Sequence, residues 1–393
     1  MSDKSRKNLK PGWRWMKFGD VVRQCKEKAD PETSGLERYV AGDHMSTDDL
    51  RIRRWGEIGS GYLGPAFHMR FKPGQVLYGS RRTYLRKVAL ADFEGICANT
   101  TFVLASRNSD DLLPSFLPFL MQADSFNEFS VRKSKGSVNP YINFSDLAEF
   151  EFALPPLEEQ RRILDFLLAI EESLESLGNA MEAGKKLFES ALFEAFENLS
   201  SAKIKKVKEC YDIQLGKMSS QKARLGQNQK VYIKNNNVLW GGFDFSELPQ
   251  MSFDEREVEK YSLRYGDLLV CEGGEIGRAA IWKGAVPGML YQKALHRLRP
   301  KTEDDVPDFM FHYLRYCAKK GILEGVATGT TIRHLPVEQL SELQLPFPFR
   351  QDQQRIAQAM TAITDGIARI GERLEVVKKV KAKALSEAIA GEV

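Results

Sequence analysis

The sequence predicts an α+β fold: two similar β-rich domains in tandem, each followed by a long helix, the two helices pairing as an antiparallel coiled coil with pseudo-twofold symmetry. Three observations predict it. The chain repeats itself at a constant offset of 193 residues. Each copy ends in an apolar stripe with alternating steps of four and three. Ahead of each stripe lie short strand-like runs punctuated by Gly, Pro and Asn.

The repeat is the strongest signal. Residues 136–163 read GSVNPYINFSDLAEFEFALPPLEEQRRI, and residues 329–356 read GTTIRHLPVEQLSELQLPFPFRQDQQRI. Leu147 falls on Leu340, Glu149 on Glu342, Pro155 on Pro348, Gln160 on Gln353 and Ile163 on Ile356. Tyr39 falls on Tyr232, Pro114 on Pro307 and Phe116 on Phe309, and with a one-residue slip FKPGQVLY falls on LRYGDLLV. So long a period describes a duplicated domain plus its connector.

The elements follow in order. The first domain, 1–153, holds strand-like runs such as 101–105 and is closed by Pro155-Pro156, where the helical segment 154–199 begins. The second domain, 200–346, has a comparable run at 267–270 and closes at Pro346 and Pro348, before the helical segment 347–393. Acidic Glu158, Glu159 and Asp352 suit the positive end of each helix dipole. The first seam runs through Ile163, Leu167, Ile170, Leu174 and Leu177, the second through Ile356, Met360, Ile363, Ile367 and Ile370. The stripes are interrupted at Gly184 and Lys381, where the seam is expected to loosen; Gly178 and Gly371 align and are expected to allow close backbone approach. Helices of this length would form a rod of roughly 60 Å.

Composition bounds the function. At 393 residues, 42% hydrophobic and 28% charged, the chain is ordinary for a globular protein, which excludes collagen-like and wholly disordered classes. No apolar stretch suits a membrane span, and residues 1–16 are basic without the apolar core of a secretory signal. Five cysteines without a close pair (Cys25, Cys97, Cys210, Cys271, Cys317) fit a reducing, cytoplasmic location as buried free thiols. The net charge of +4 hides an asymmetry: residues 158–198 hold ten acidic and four basic side chains, so the remainder carries +10. Residues 351–391 hold seven basic and five acidic side chains, a balance that favours pairing with the acidic helix. A basic remainder suits a polyanionic partner; ordinary solvated surface charge accounts for it equally well.

No catalytic signature stands out. Gly216-Lys217 lacks the rest of a phosphate loop, and the glycine-rich 272–277 carries two carboxylates, which makes it a turn after a strand. Asn139-Pro140-Tyr141 shares only part of an adenine-methyltransferase loop and has no glycine-rich companion upstream. The five histidines, His44, His68, His296, His312 and His334, have no metal-ligand spacing; His334 is either solvated or a phosphate contact. What remains is a binder. Arg81, Arg82, Tyr84, Arg86 and Lys87 set four cations beside an aromatic, and Lys217, Ser219, Lys222 and Arg224, followed by Lys234 and Asn236, form a polar-basic loop region in the second copy. Lys133, Lys135, Arg278, Thr330 and Arg333 complete the candidate set. Such residues hold phosphates and read base edges; for any one of them taken alone, a solvated loop is the competing reading.

LPPLEEQRRI at 154–163, its degenerate partner FPFRQDQQRI at 347–356, and SRRTYLRKVALADFEGICANTTFVL at 80–104 together resemble the specificity subunit of type I restriction–modification systems. The resemblance spans essentially the whole chain and departs at 348–353, where PFRQDQ replaces PPLEEQ. It implies two target recognition domains that each read half of a bipartite, asymmetric site in double-stranded DNA. It implies paired helices that set the distance between the halves and dock two methyltransferase subunits. The same resemblance implies that S-adenosylmethionine, ATP and Mg act in those methyltransferase and in motor-endonuclease subunits, with no cofactor or active site in this chain. Two rivals stay open: a specificity module of a methylation-only or rearranged complex, and a coiled-coil adaptor that binds protein.

Overall fold

The computed structural model describes residues 9–199, 202–329 and 333–390. The chain forms two compact units, one built from the chain up to Asn179 together with the segment from Gly371, the other from Ala180–Ile370. The units therefore do not follow the linear order: each takes in half of both long helices.

In the first unit a two-stranded ribbon, Arg14–Lys17 against Glu151–Leu154, closes the domain where its ends meet. The main sheet is antiparallel, in the order Val22–Cys25, Thr101–Ser106, Val76–Gly79, Val88–Leu90. Its central strand is buried on both faces: Val76 and Tyr78 enter the core shared with the helices, and Leu77 enters a second core. That second core is roofed by a four-stranded sheet in the order Gly56–Glu57, Arg38–Val40, Gly95–Ala98, Phe67–Phe71, with Arg38–Val40 and Gly95–Ala98 parallel. Two-sided burial explains why these strands read as continuous apolar runs.

The second unit repeats the plan. Lys203–Lys206 pairs with Gln344–Phe347, and the main sheet runs Tyr211–Leu215, Leu295–Pro300, Leu268–Cys271, Ala279–Ile281. Leu268 and Val270 face the core on the helix side, Leu269 and Cys271 the opposite one. The parallel pair recurs in the repeat, Tyr39 beside Ile96 in one unit and Tyr232 beside Leu290 in the other, the second strand slipped by one residue from the offset of 193.

The long helices span Leu157–Glu197 and Arg350–Ala390. A matched glutamine pins the start of each. Buried Gln160 donates to the carbonyls of Asp111 (2.8 Å) and Pro155 (2.9 Å) and accepts from the Leu113 amide (2.9 Å). Gln353 donates to the Pro348 carbonyl (3.0 Å) and accepts from the Val306 amide (3.4 Å). The shared Gln of the two motifs is thus a structural clamp at the domain–helix joint.

Within the first unit, Leu167 and Ile170 share a core with Leu385 and Ala388, flanked by Ile163 and Leu174. Within the second, Phe188, Leu192 and Phe196 share a core with Ala357 and Met360, flanked by Ile356, Ile363 and Ile367. The start of one helix thus packs with the end of the other, which is antiparallel pairing. Leu177 and Ile370 are half-buried.

Three readings of the seam need correction. A Cβ at Gly178 or Gly371 would meet open space, so neither is a close-approach site; Gly184 is, since a Cβ there would come within 2.9 Å of Ile367 Cγ1. Lys381 does not loosen the seam, because it is buried and paired with Glu171 at 2.5 Å. The basic stretch after Lys217 is not all loop either. Ser220 Oγ accepts from the Ala223 amide (3.1 Å) and starts the helix Gln221–Leu225. Among the described residues no helix is long and apolar enough to cross a membrane.

Candidate nucleic-acid interface

Strand register places the candidate residues. In the first unit, Gly79 pairs with Thr101, Tyr78 with Val88 and Cys25 with Val103, so the loop 80–87 and the turn 99–100 leave the main sheet at one end. In the second unit, Cys271 pairs with Leu295, Val270 with Ala279 and Leu215 with His296, so 272–278, 292–294 and the segment after Leu215 leave at the corresponding end.

A second loop is strapped to that end in each unit. Lys135 and Tyr141 exchange backbone hydrogen bonds (2.8 and 2.9 Å), closing the loop between them. Tyr141 also bridges to Arg81, the Ile142 amide donates to the Ser80 carbonyl (2.9 Å), and the Arg82 amide donates to the Pro140 carbonyl (2.6 Å). The second unit has the same ladder: Thr328 and His334 exchange bonds (2.9 and 2.9 Å), His334 bridges to Gly273, and the Leu335 amide donates to the Glu272 carbonyl (2.7 Å). Gly136 and Gly329, with φ of 89° and 96°, take the matched left-handed position that opens each loop.

The first unit's surface is cationic and aromatic. Arg82 and Arg86 bracket the turn Thr83–Leu85 in left-handed conformation, φ 50° and 51°, which is uncommon for non-glycine residues. Arg81 and Arg82 are exposed, and their side chains have no hydrogen-bond or ion-pair partner among the described residues; Tyr84 is also exposed. Arg86 differs. Its guanidinium donates to Asp48 (2.7 Å), Asp124 (2.7 Å) and the Gln122 carbonyl (2.6 Å), which ties the loop down. Lys87 donates to the Gly42 carbonyl, and its pKa is lowered by burial and then by the charge of Arg82. Lys133 pairs with Glu149 (2.6 Å) and Lys135 with Asp146 (2.9 Å). Beyond Cys25, residues 28–38 and 55–68 line a cleft of about 1340 Å³, in which Arg38 stacks over Trp55 (4.6 Å) and exposed Tyr62 stands at the rim.

In the second unit several candidates turn inward. Lys217 contacts Glu257 (2.5 Å), the Ser252 carbonyl (2.6 Å) and the ring of Phe253 (4.7 Å). Arg278 donates to the Asn235 carbonyl (3.2 Å) and side chain (3.3 Å) and lies 3.5 Å from Glu275. Asn235 in turn donates to the Gly273 carbonyl (2.8 Å), which joins the turn 235–237 to the strapped loops. Lys222, Arg224 and Asn236 are exposed, Ser219 and Lys234 half-buried. Arg333 is exposed, 3.5 Å from the Glu324 carbonyl, and Thr330 lies outside the described residues.

The structure thus gathers Arg81, Arg82, Lys135 and Tyr141 at one strap, and Gly273, Asn235, Arg278, Arg333 and His334 at the other. Tyr141 was absent from the sequence candidates, although the aligned Gly136 and Gly329 marked its loop. Among the described residues no group of three or more His, Cys, Asp or Glu is placed to hold a metal. The site offers exposed cations, aromatic faces and backbone-fixed loops, which is the chemistry of phosphate holding and base reading.

Comparison with known proteins converges on one family. Residues 12–181 and 200–379 each match the sequence profile of the type I restriction modification DNA specificity domain. The chain is 29% identical over 195 residues to the type I restriction enzyme EcoDI specificity subunit of Escherichia coli, a match spanning 47% of this chain and 41% of that protein. It is 25% identical over 326 residues to the MjaVIII specificity subunit of Methanocaldococcus jannaschii, spanning 76% and 75%. A solved chain from a study of assembly and conformational transition in the type I R-M system superimposes with TM-score 0.65 at 21% identity, covering 97% of this chain and 98% of that one. The S subunit of a type I system from M. genitalium does so with TM-score 0.60 at 16% identity, covering 98% and 97%. At these identities the two structures establish a shared fold.

Proposed function

The chain belongs to the type I restriction–modification DNA specificity family, the non-catalytic, DNA-recognising part of such systems, and on that premise we propose that it reads a bipartite, asymmetric target in double-stranded DNA, one half with each unit. The observation that carries this reading is the duplicated strap. The backbone ladder of Arg81, Tyr141 and Lys135 recurs at Gly273, His334 and Thr328, and every side chain on it has changed. Identical scaffolding under different side chains supports two readers of two different half-sites, and therefore a non-palindromic target with an unread spacer.

The paired helices serve as the docking surface for two methyltransferase subunits, on which motor-endonuclease subunits assemble in turn. S-adenosylmethionine, ATP and Mg belong to those partners, and the complex works in the cytoplasm. Arg81, Arg82 and Tyr84 in the first unit and Lys222, Arg224, Asn236 and Arg333 in the second are the contacts offered to DNA. Arg86, Lys217 and Arg278 act by holding the loops in place.

Methylome sequencing of a host expressing the chain with its cognate methyltransferase tests this directly. The expected outcome is adenine methylation at one bipartite, non-palindromic motif. Replacing Arg81 and Arg82 with Gln should weaken binding of the purified chain to duplex DNA and flatten its salt dependence, because fewer phosphates are neutralised. A palindromic or uninterrupted motif would overturn the two-reader assignment.

A further inference from the structure

Arg315 is an anomaly in the second unit. A guanidinium drawn out of water is ordinarily paired. Arg315, half-buried on the helix Pro307–Lys319, has no hydrogen-bond or ion-pair partner among the described residues. It stacks instead on Phe188 (4.2 Å), Phe311 (5.7 Å) and Trp240 (5.9 Å), and burial lowers its pKa. Stacking occupies the face of the guanidinium and leaves the N–H donors in its plane free.

Those donors border open space. Arg315 and Lys319 line two cavities, of about 740 and about 470 Å³. The acids around them are engaged already: Glu275 accepts from Trp240 Nε1 (2.5 Å) and lies 3.5 Å from Arg278, Glu189 pairs with Lys319 (2.5 Å), Glu182 with Lys185 (2.6 Å), and Glu324 lies 3.8 Å from Arg333. What is left over is positive, namely Arg315 and exposed Lys186. The larger cavity is also walled by Gly274, Glu275, Ile276 and Arg333, which belong to the strapped loops of the candidate DNA face.

We propose that this groove is an oxyanion site in which Arg315, assisted by Lys186, holds a phosphate of the DNA backbone beside the half-site read by the second unit. The inference rests on the DNA-recognition reading and adds a contact to it. A phosphate fits better than a partner's carboxylate because the groove runs into the loops that would face DNA, and because two unmatched cations suit a group with several charged oxygens.

The repeat supplies the test substitution. Gln122 occupies the position of Arg315 in the first unit, where it is buried, so the scaffold already accepts glutamine there. The full-length chain, its Arg315→Gln and Arg315→Lys variants and the surface variant Lys186→Gln would be titrated with duplex DNA over a series of salt concentrations. Arg315→Gln should lower affinity and reduce the salt slope by about 1, Lys186→Gln should reduce the slope by less, and Arg315→Lys should keep most of it. Melting temperature, read in parallel, separates the loss of ring stacking, which Arg315→Gln also removes, from the loss of a phosphate contact, since only the latter changes the salt slope. Unchanged affinity and slope in both Gln variants would overturn the proposal. So would intact DNA binding combined with lost methyltransferase assembly, which would assign the groove to a carboxylate of the partner. A wild-type chain without salt-dependent DNA binding would instead sink the broader reading.

Discussion

Where the candidate loops gather, the first unit sets out Arg81, Arg82, Lys135 and Tyr141, and at the aligned positions the second sets out Gly273, Gly274, Thr328 and His334. The main-chain bonds of Lys135 with Tyr141 and of Ile142 with Ser80 recur as those of Thr328 with His334 and of Leu335 with Glu272. The bond from the Arg82 amide to the Pro140 carbonyl has no counterpart among the described residues of the second unit. Main-chain bonds ask nothing of side chains beyond a glycine at one turn, so a loop held this way can exchange its side chains without losing its shape. The two units differ away from that end as well. The helix halves of the first unit bury the pair Glu171–Lys381, whereas the equivalent positions in the second are Thr364 and Phe188. One half of the seam is fastened by charge, the other by an aromatic ring and the close contact of Gly184 with Ile367.

Breaking the charged half should have the largest effect. The side chain of Lys381 is 9% exposed and that of Glu171 19%, and Glu171 Oε1 accepts no hydrogen bond that would support it independently of the ion pair. Glu171→Thr leaves the ammonium buried and alone, which should destabilise the first unit by about 3 kcal/mol. Adding Lys381→Phe, to reproduce the second unit's pair, should restore most of that loss. Hydrogen exchange of amides in 164–174, compared with those in 185–195, reads the effect unit by unit. A single variant that exchanges like wild type would mean the pair behaves as a surface one.

Acid should distinguish the units in the opposite direction. The second unit buries His296 and His312 with their Nδ1 atoms unpaired; in the first, His44 and His68 are only half-buried. Burial lowers the pKa of His296, and burial followed by the charge of Arg315 lowers that of His312 to about 3. Unfolded histidine binds its proton near pH 6.5, so between there and the folded values the unfolded chain holds more protons. The stability due to neutral burial is complete above pH 6.5 and is lost as pH falls. For His312 the loss should reach about 2 kcal/mol by pH 5. Exchange protection in the second unit should therefore collapse first on acidification, and His312→Phe should remove much of the difference. Equal losses in both units would refute this.

Much of the architecture was legible because duplication and periodicity are one-dimensional. The offset of 193 revealed two similar domains, and the steps of four and three located both helices. Of the ten seam residues so marked, Leu167, Ile170 and Met360 are buried and the rest half-buried, while Leu164, Leu192, Phe196, Ala357, Leu385 and Ala388 are buried outside those ten. Gln160 and Gln353 were visible as aligned letters, but their hydrogen bonds to 111–113 and to Val306 depend on contacts distant in sequence. The candidate cations show the same limit more sharply. Arg81 and Arg86 sit in one basic cluster and look alike in sequence. Asp48 and Asp124, which hold Arg86, approach it only through the fold. Lys217 is withdrawn by Glu257 for the same reason. Composition gives the charge of a loop, and packing decides which charges stay free.

The smallest expected effect on stability belongs to the glycine that opens each strapped loop. A Cβ on Gly136 would meet nothing closer than the Asn139 carbonyl oxygen at 3.9 Å, so Gly136→Ala is resisted by the backbone alone, at φ 89°. That strain costs about 1 kcal/mol, and an exposed loop can relieve it by rearranging while the core beneath stays intact. Relief moves residues 137–140 relative to Arg81 and Arg82, and with them the surface that the first unit presents. Gly136→Ala should therefore barely shift the melting temperature while weakening or altering only the half-site that the first unit reads. Gly329→Ala, at φ 96°, should spare that half and affect the other. Methylome sequencing of the two variants separates the cases. If either substitution changed both half-sites together, the strapped loops would not be independent readers, and the resemblance of their two ladders would reflect folding rather than recognition.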